Sequence, residues 1–188
     1  MIEAELKARV RDSEAVRRGL EERAEGRAEV YRDTYYDTPD GSLGARDAEL
    51  RVRTVRGAGE DRTLLTYKEA RVDEESGSKP EHETRVEDAE AVHRMLRGLG
   101  YVPVIEFEKN CRNHDIEAYG RRMLATLVQL PEIDGTFIEI ETLVEDDTDV
   151  RAALSDIRAV LAELGVEETD LTRELYTDAV AAGRGTRA

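Results

Sequence analysis

Charged residues in this chain recur at every second position, in short runs that mix carboxylates with cations: Glu3, Glu5 and Lys7; Arg51 and Arg53; Glu81, Glu83 and Arg85; Glu139 and Glu141. Single cations stand in comparable surroundings at Lys68 and at Lys109 or Arg112. Alternation with a period of two residues puts each run on one face of a strand. On an open sheet such faces are simply wet, as one side of an antiparallel sheet commonly is. In a closed barrel covered outside by helices the same residues point inward, where bare charge is costly unless a ligand meets it. Arg forks and Lys ammonium groups recognise phosphate. Carboxylates beside them would repel a polyphosphate unless a hard divalent cation lay between, and Mg2+ characteristically bridges carboxylates to phosphates. A polyphosphate together with a metal ion satisfies both sets of residues.

Other chemistries find no support. There is no G-x-x-x-x-G-K-[ST] and no G-x-G-x-x-G after a strand. No Ser-His-Asp or Cys-His arrangement stands out. Cys111 is the only cysteine, and His82, His93 and His114 do not fall at metal-ligand spacings with it, so Cys111 reads as a small packed residue. The formal charge of −15 argues against non-specific attraction to nucleic acid or to an anionic membrane, and any anionic ligand needs a local cluster of cations. Acids spread along the chain, with Arg well in excess of Lys, suggest a solvated surface adapted to high salt and hence a halophilic source. No apolar run approaches the roughly 18 residues of a membrane span, and the N-terminus lacks a signal sequence, so the expectation is a soluble, cytoplasmic protein.

The elements that would carry these residues follow from periodicity. EAELK (3–7) matches EHETR (81–85), and RDSEAVRRGLEERA (11–24) matches EDAEAVHRMLRGLG (87–100), so each half reads as a charged-face strand, a helix capped by Asp12 or Asp88, and further strands. Two pseudo-symmetric halves sharing one barrel are expected. Strand candidates are DTYYDT (33–38), ELRVRTV (49–55), RTLLTYKEA (62–70), VPVIEFEKNCRN, RMLATLVQL and GTFIEIETL, for about eight in total, with a mobile linker at 71–80. Val150, Ala153, Leu154, Ile157, Val160, Leu161 and Leu164 form one helical stripe ending at Gly165, and a last short helix is expected over 171–182. Tyr35, Tyr36 and Tyr67 read as packing residues, and Arg121 and Arg122 as turn residues.

EAELK at the N-terminus, TYYDTPD followed by ELRVR, then LLTYKEA, GTFIEIE and finally ELYT resemble, in order over residues 2–178, the CYTH superfamily of triphosphate tunnel metalloenzymes. The closest resemblance is to its class IV adenylyl cyclase-like branch, with a haloarchaeal cast. The resemblance implies an α+β fold, an eight-stranded antiparallel closed β-barrel with helices packed outside, over one domain spanning 1–188 with a flexible tail from about 183. It assigns metal binding to Glu3, Glu5, Glu139 and Glu141, and phosphate binding to Lys7, Arg51, Arg53 and Lys68, with Arg85, Lys109 and Arg112 as further phosphate candidates. The metal carboxylates and Lys7 form the implied catalytic set. Lys109 and Arg112, three apart, cannot share a face of a regular strand. Gln129 stands where the family commonly carries Asp.

The resulting expectation is a Mg2+- or Mn2+-dependent enzyme acting on a small-molecule triphosphate, by cyclising ATP to cyclic AMP and pyrophosphate. The alternatives are hydrolysis of an inorganic or organic triphosphate such as thiamine triphosphate, and non-catalytic sensing of a nucleotide or polyphosphate. No nucleic-acid or membrane partner is expected; a homodimer is possible.

Overall fold

Alternating apolar residues give β1 (Ile2–Val10) one greasy face, and in the computed structural model, which describes residues 1–73 and 76–186, that face packs outward against a long helix. Among the described residues, seven further strands follow: β2 (Arg27–Asp37), β3 (Glu49–Gly57), β4 (Arg62–Lys68), β5 (Lys79–Val86), β6 (Val102–Ala118), β7 (Arg121–Leu130) and β8 (Ile133–Val144). They close an antiparallel barrel in the order β1-β5-β4-β3-β2-β6-β7-β8. The helices are α1 (Ser13–Glu21), α2 (Ala89–Gly98), α3 (Asp147–Glu163) and α4 (Tyr176–Thr186).

Exchanging β1 with β5, β2 with β6, β3 with β7 and β4 with β8 leaves that cyclic order unchanged, so the weak sequence repeat corresponds to a two-fold of the barrel. Both repeat helices start as their sequences dictate. The Asp12 carboxylate accepts from the Ala15 amide at 3.0 Å and Asp88 from the Ala91 amide at 2.9 Å, each cap contributing about 1 kcal/mol. The α3 stripe is buried against Ile2, Ala4, Leu6 and Ala8 of β1 and Ile138 and Ile140 of β8. Each of the Ile and Leu side chains among them stabilises the packing by about 1.5–3 kcal/mol. With the apolar faces turned out to the helices, the charged faces turn in.

The closure between β1 and β5 is short, with only Ile2–Pro80 and Glu3–Lys79 in register. Farther along β1 its edge is covered by the segment before α4: Leu171 bridges Ala8, and the Thr172 amide donates to the Lys7 carbonyl at 2.9 Å.

Several boundaries differ from the sequence reading. β2 begins at Arg27 rather than Asp33, and α4 begins at Tyr176 rather than Leu171. Residues 183–186, read as tail, are helical, and 187–188 lie outside the described residues. Of the segment read as a linker, 74 and 75 also lie outside them; its flanks are tied down, with the Asp73 carboxylate accepting from the Ser76 amide and hydroxyl at 2.7 Å and Lys79 opening β5.

Candidate functional site

The inward faces enclose a cavity of about 630 Å3. Along the β1–β8 seam Glu5 stands opposite Glu141 and Lys7 opposite Glu139. Across the barrel, β2 and β3 put Asp33 opposite Arg53, and β4 and β5 put Lys68 opposite Glu81. Glu3, Glu5, Lys7, Arg51, Arg53, Lys68, Lys109, Glu139 and Glu141, all sequence candidates, line this one cavity, as do Glu81 and Glu83 of the run 81–85.

Carboxylate oxygens of Glu3, Glu5 and Glu141 lie within 4.8 Å of one another. Three enclosed acids at that spacing cannot all carry charge unaided. Burial, reinforced by the charges of Glu139 and Glu3, holds Glu5 well above the usual carboxylate range. Burial and the Glu3 charge push Glu141 up to about 8. Burial and Glu3 also raise Glu81, to about 7. Glu3 is opposite in sign: burial works against its charge, but the Lys68 ammonium at 2.8 Å prevails and holds it low. An all-oxygen, hard-donor set with protons to displace fits a divalent cation such as Mg2+ or Mn2+. Glu139 is turned the other way, 4.0 Å from the Lys109 ammonium; burial opposes its charge, and Lys109 and Lys7 keep its pKa low.

The cations are held in place by acids. Arg53 donates from Nε and Nη2 to the fully buried Asp33 at 2.6 and 2.8 Å, and Asp33, despite burial, is driven well below the usual carboxylate range by that guanidinium. Lys109 lies 3.9 Å from the same carboxylate. Lys68 spans Glu3 and Glu81, the latter at 3.0 Å. Arg51 reaches the Thr66 hydroxyl at 3.4 Å and lies 4.0 Å from Glu83. Lys7 donates to the Glu174 carbonyl and sits 4.3 Å from the centre of the Tyr176 ring. Such paired cations are pre-aimed yet keep N–H groups for a phosphate.

At another part of the same cavity wall Arg62 grips Glu29 at 2.8 and 3.0 Å, and behind it Asn113 donates to Glu29 at 2.7 Å and Thr126 donates to Asn113 at 2.8 Å. This network is internally satisfied.

Two phosphate candidates fall outside the cavity. Arg112 points to the outer surface, where it donates to Glu21 of α1 at 2.8 Å, because β6 keeps regular alternation and Lys109 takes the inward parity. Arg85 has the inward parity of Glu81 and Glu83, but β5 has there parted from β1, and its side chain turns to Glu60 at 2.8 Å. Gln129 is likewise outside, donating to the Thr136 hydroxyl at 2.9 Å, so it does not stand in for an inward acid. Burial pushes the Cys111 thiol up to about 12, in keeping with a packed residue. Arg121 pairs with Asp149 and Asp156 of α3 rather than with the cavity.

Tyr31, Tyr35, Glu49, Arg62, Lys79 and Tyr176 also line the cavity, although Tyr35 reads in the sequence as packing, and the fully buried Asp33 stands behind Arg53. A signal for Asp33 existed: it shares strand parity with Tyr31 and Tyr35. Tyr176 belongs to no strand; its place in ELYT left packing and ligand roles evenly balanced.

A family model described as the CYTH domain matches residues 1–176. A curated protein of Methanocaldococcus jannaschii, "Putative adenylate cyclase MJ0240", is 23% identical over 185 residues, covering 95% of this chain and 98% of its own length. The PH1819 protein of Pyrococcus horikoshii OT3 superposes with a TM-score of 0.84 at 31% identity, covering 96% of this chain and 98% of its own. HpAC1 of Hippeastrum, described as a "putative adenylyl cyclase" with a dominant triphosphatase activity, superposes with a TM-score of 0.62 at 16% identity over 97% of this chain and 96% of its own.

Proposed function

The chain belongs to the CYTH domain family, and on that premise we propose that it is a metal-dependent enzyme that cleaves a triphosphate bound inside the barrel, cyclising ATP to cyclic AMP with release of pyrophosphate. The observation that carries the reading is the segregation of charge in one cavity: Glu3, Glu5 and Glu141 gathered within 4.8 Å beside a wall of paired cations.

In this reading Glu3, Glu5 and Glu141 hold the cation, with Glu139 adjoining. A bound Mg2+ or Mn2+ supplies neutralisation of phosphate oxygens and of charge developing on the leaving group. Arg53 and Arg51 bind phosphate oxygens with the N–H groups that Asp33 and Thr66 leave free. Lys68, Lys109 and Lys7 contribute ammonium charge along the chain of phosphates and keep it in line for displacement. Acids already paired with Arg53, Lys68 and Lys109, and the Glu174 carbonyl that holds Lys7, fix the cations before substrate arrives, so little reorganisation accompanies binding. At about 630 Å3 the cavity is in the range that houses a ligand larger than inorganic triphosphate, which favours a nucleotide.

One observation favours the second reading, hydrolysis of the terminal phosphate of an inorganic or organic triphosphate. The amide of Asn113, a group suited to reading a base, is already engaged by Glu29 and Thr126. Incubation with ATP, tripolyphosphate and thiamine triphosphate, with Mg2+ and Mn2+ in separate arms and all products resolved, tests both. Cyclic AMP and pyrophosphate from ATP support cyclisation, and orthophosphate supports hydrolysis. Thermal stabilisation by triphosphate with metal but without any product would leave a binding protein.

A further inference from the structure

The segment 171–178 is no part of the barrel, yet it completes one wall of the cavity, and it brings an aromatic side chain among the charged residues. Tyr176 is 8% exposed, with its ring edge-to-face on Phe137 at 5.4 Å between centroids. Two ammonium groups approach that ring, Lys7 at 4.3 Å and Lys109 at 5.1 Å from its centre. The backbone just before it accepts a hydrogen bond from Lys7 through the Glu174 carbonyl. The Tyr176 hydroxyl is enclosed, lies against the Glu139 carboxylate, and makes no hydrogen bond of good geometry. Arg51 Nε, in the same cavity, is also enclosed and without a hydrogen bond.

A buried phenol without a partner is costly, and native structures retain such a group where something else supplies the partner. Its surroundings identify what that is. Phosphate oxygens are acceptors only, and an anion bound by both Lys7 and Lys109 lies beside the ring that both approach. Glu139, the competing acceptor, lies close enough to interact with the hydroxyl but not in hydrogen-bonding geometry, and its charge is shared with Lys109 and Lys7.

We propose that the Tyr176 hydroxyl is a substrate-binding donor, directed to a non-bridging oxygen of the phosphate group that Lys7 and Lys109 bind, and that its ring sets the spacing of those two ammonium groups. This rests on the triphosphate reading of the cavity. It makes the C-terminal segment part of the binding site and separates two contributions, ring and hydroxyl, that substitution can dissect.

The test is calorimetric titration of imidotriphosphate, a non-hydrolysable analogue, in the presence of Mn2+, against wild type, Tyr176→Phe and Tyr176→Leu. Tyr176→Phe keeps the ring and removes the donor; it should weaken binding about tenfold to a hundredfold, the range for a hydrogen bond to a charged group, raise the melting temperature of the ligand-free protein because a buried hydroxyl without a partner is gone, and leave Mn2+ binding alone unchanged. Tyr176→Leu should weaken it further, through the loss of both cation–ring contacts. Equal affinity in Tyr176→Phe and wild type overturns the proposal. So does an equal loss in Mn2+ binding alone, which would mean that the hydroxyl acts through Glu139. Failure of the wild type to bind imidotriphosphate sinks the triphosphate reading itself, a result distinct from either.

Discussion

Replacing Glu141 by Gln should make the metal-free protein more stable while removing its response to metal. In the fold the Glu141 carboxyl titrates at about 8 instead of the ordinary 4.5, because it is buried beside Glu3. Its contribution is therefore complete below about 4.5 and is lost as pH rises through about 8. Between those values each pH unit costs about 1.4 kcal/mol, so at pH 7 keeping the proton costs about 3 kcal/mol. Gln has no proton to hold, and its amide matches the protonated carboxyl in shape. Recovery of a third or more of that cost gives a gain of about 1–3 kcal/mol, or roughly 2–12 °C in melting temperature for a chain of this length. The assay is thermal unfolding in EDTA from pH 5 to pH 9, repeated with excess Mg2+. The gap between variant and wild type should open as pH rises and close when Mg2+ is added, because Mg2+ stabilises the wild type alone. A variant that melts below wild type at pH 8 in EDTA, or equal Mg2+ stabilisation of both, would refute the reasoning.

Arg53→Ala and Lys7→Ala should each weaken tripolyphosphate binding by about 2–5 kcal/mol, roughly thirtyfold to several thousandfold, whereas Arg85→Ala and Arg112→Ala should bind like wild type; a calorimetric comparison of the four checks the inward and outward assignments together. Melting temperature should rise with KCl toward molar concentration, since a chain at −15 repels itself and screening relieves that; a steady fall across the same series contradicts it. Gly26→Ala should destabilise by about 1–3 kcal/mol, because the added Cβ would lie 2.6 Å from Cε1 of the fully buried His114 and 2.7 Å from Arg112 Nε; chemical denaturation measures it, and a neutral result would show that this corner of the fold yields.

Period-two alternation made much of the barrel legible before any coordinates. Once Glu3, Glu5 and Lys7 share a face whose opposite side is Ile2, Ala4 and Leu6, closure is the arrangement that turns an unusual face into a cavity, and the α3 stripe names what covers the outside. The same rule separates Lys109 from Arg112 but cannot say which is inside. That depends on the neighbouring strand, where Lys109 falls opposite Tyr31. Arg85 obeys the rule and still misses the site, because strand parity says nothing of where β5 parts from β1. Asp33 was hidden in an aromatic-rich run that reads as packing, and its role as the anchor of Arg53 is a matter of cross-strand register. Tyr176, within ELYT, stayed evenly balanced between packing and ligand, because its neighbours Lys7 and Lys109 are far away in sequence and no local pattern encodes a loop folding back over a barrel wall.

The exchange of first strands between the two halves also governs the order in which the chain can be assembled. β1 is synthesised before the other strands of the barrel, but its partners are β5 and β8, and its main register, Ile2 against Val144 through Val10 against Thr136, closes a loop of more than a hundred residues. During synthesis β1 has no strand to pair with until Lys79 is made, and its full ladder waits for β8. β2, β3 and β4 form a local meander meanwhile, leaving the Ile2, Leu6 and Val10 face uncovered. Long-range closure of this kind slows folding and prolongs exposure of a strand edge. Charges at Glu3, Glu5, Lys7 and Arg9 disfavour pairing of such an exposed strand with its copies on neighbouring chains, so the face that lines the cavity also suits the strand before it is paired.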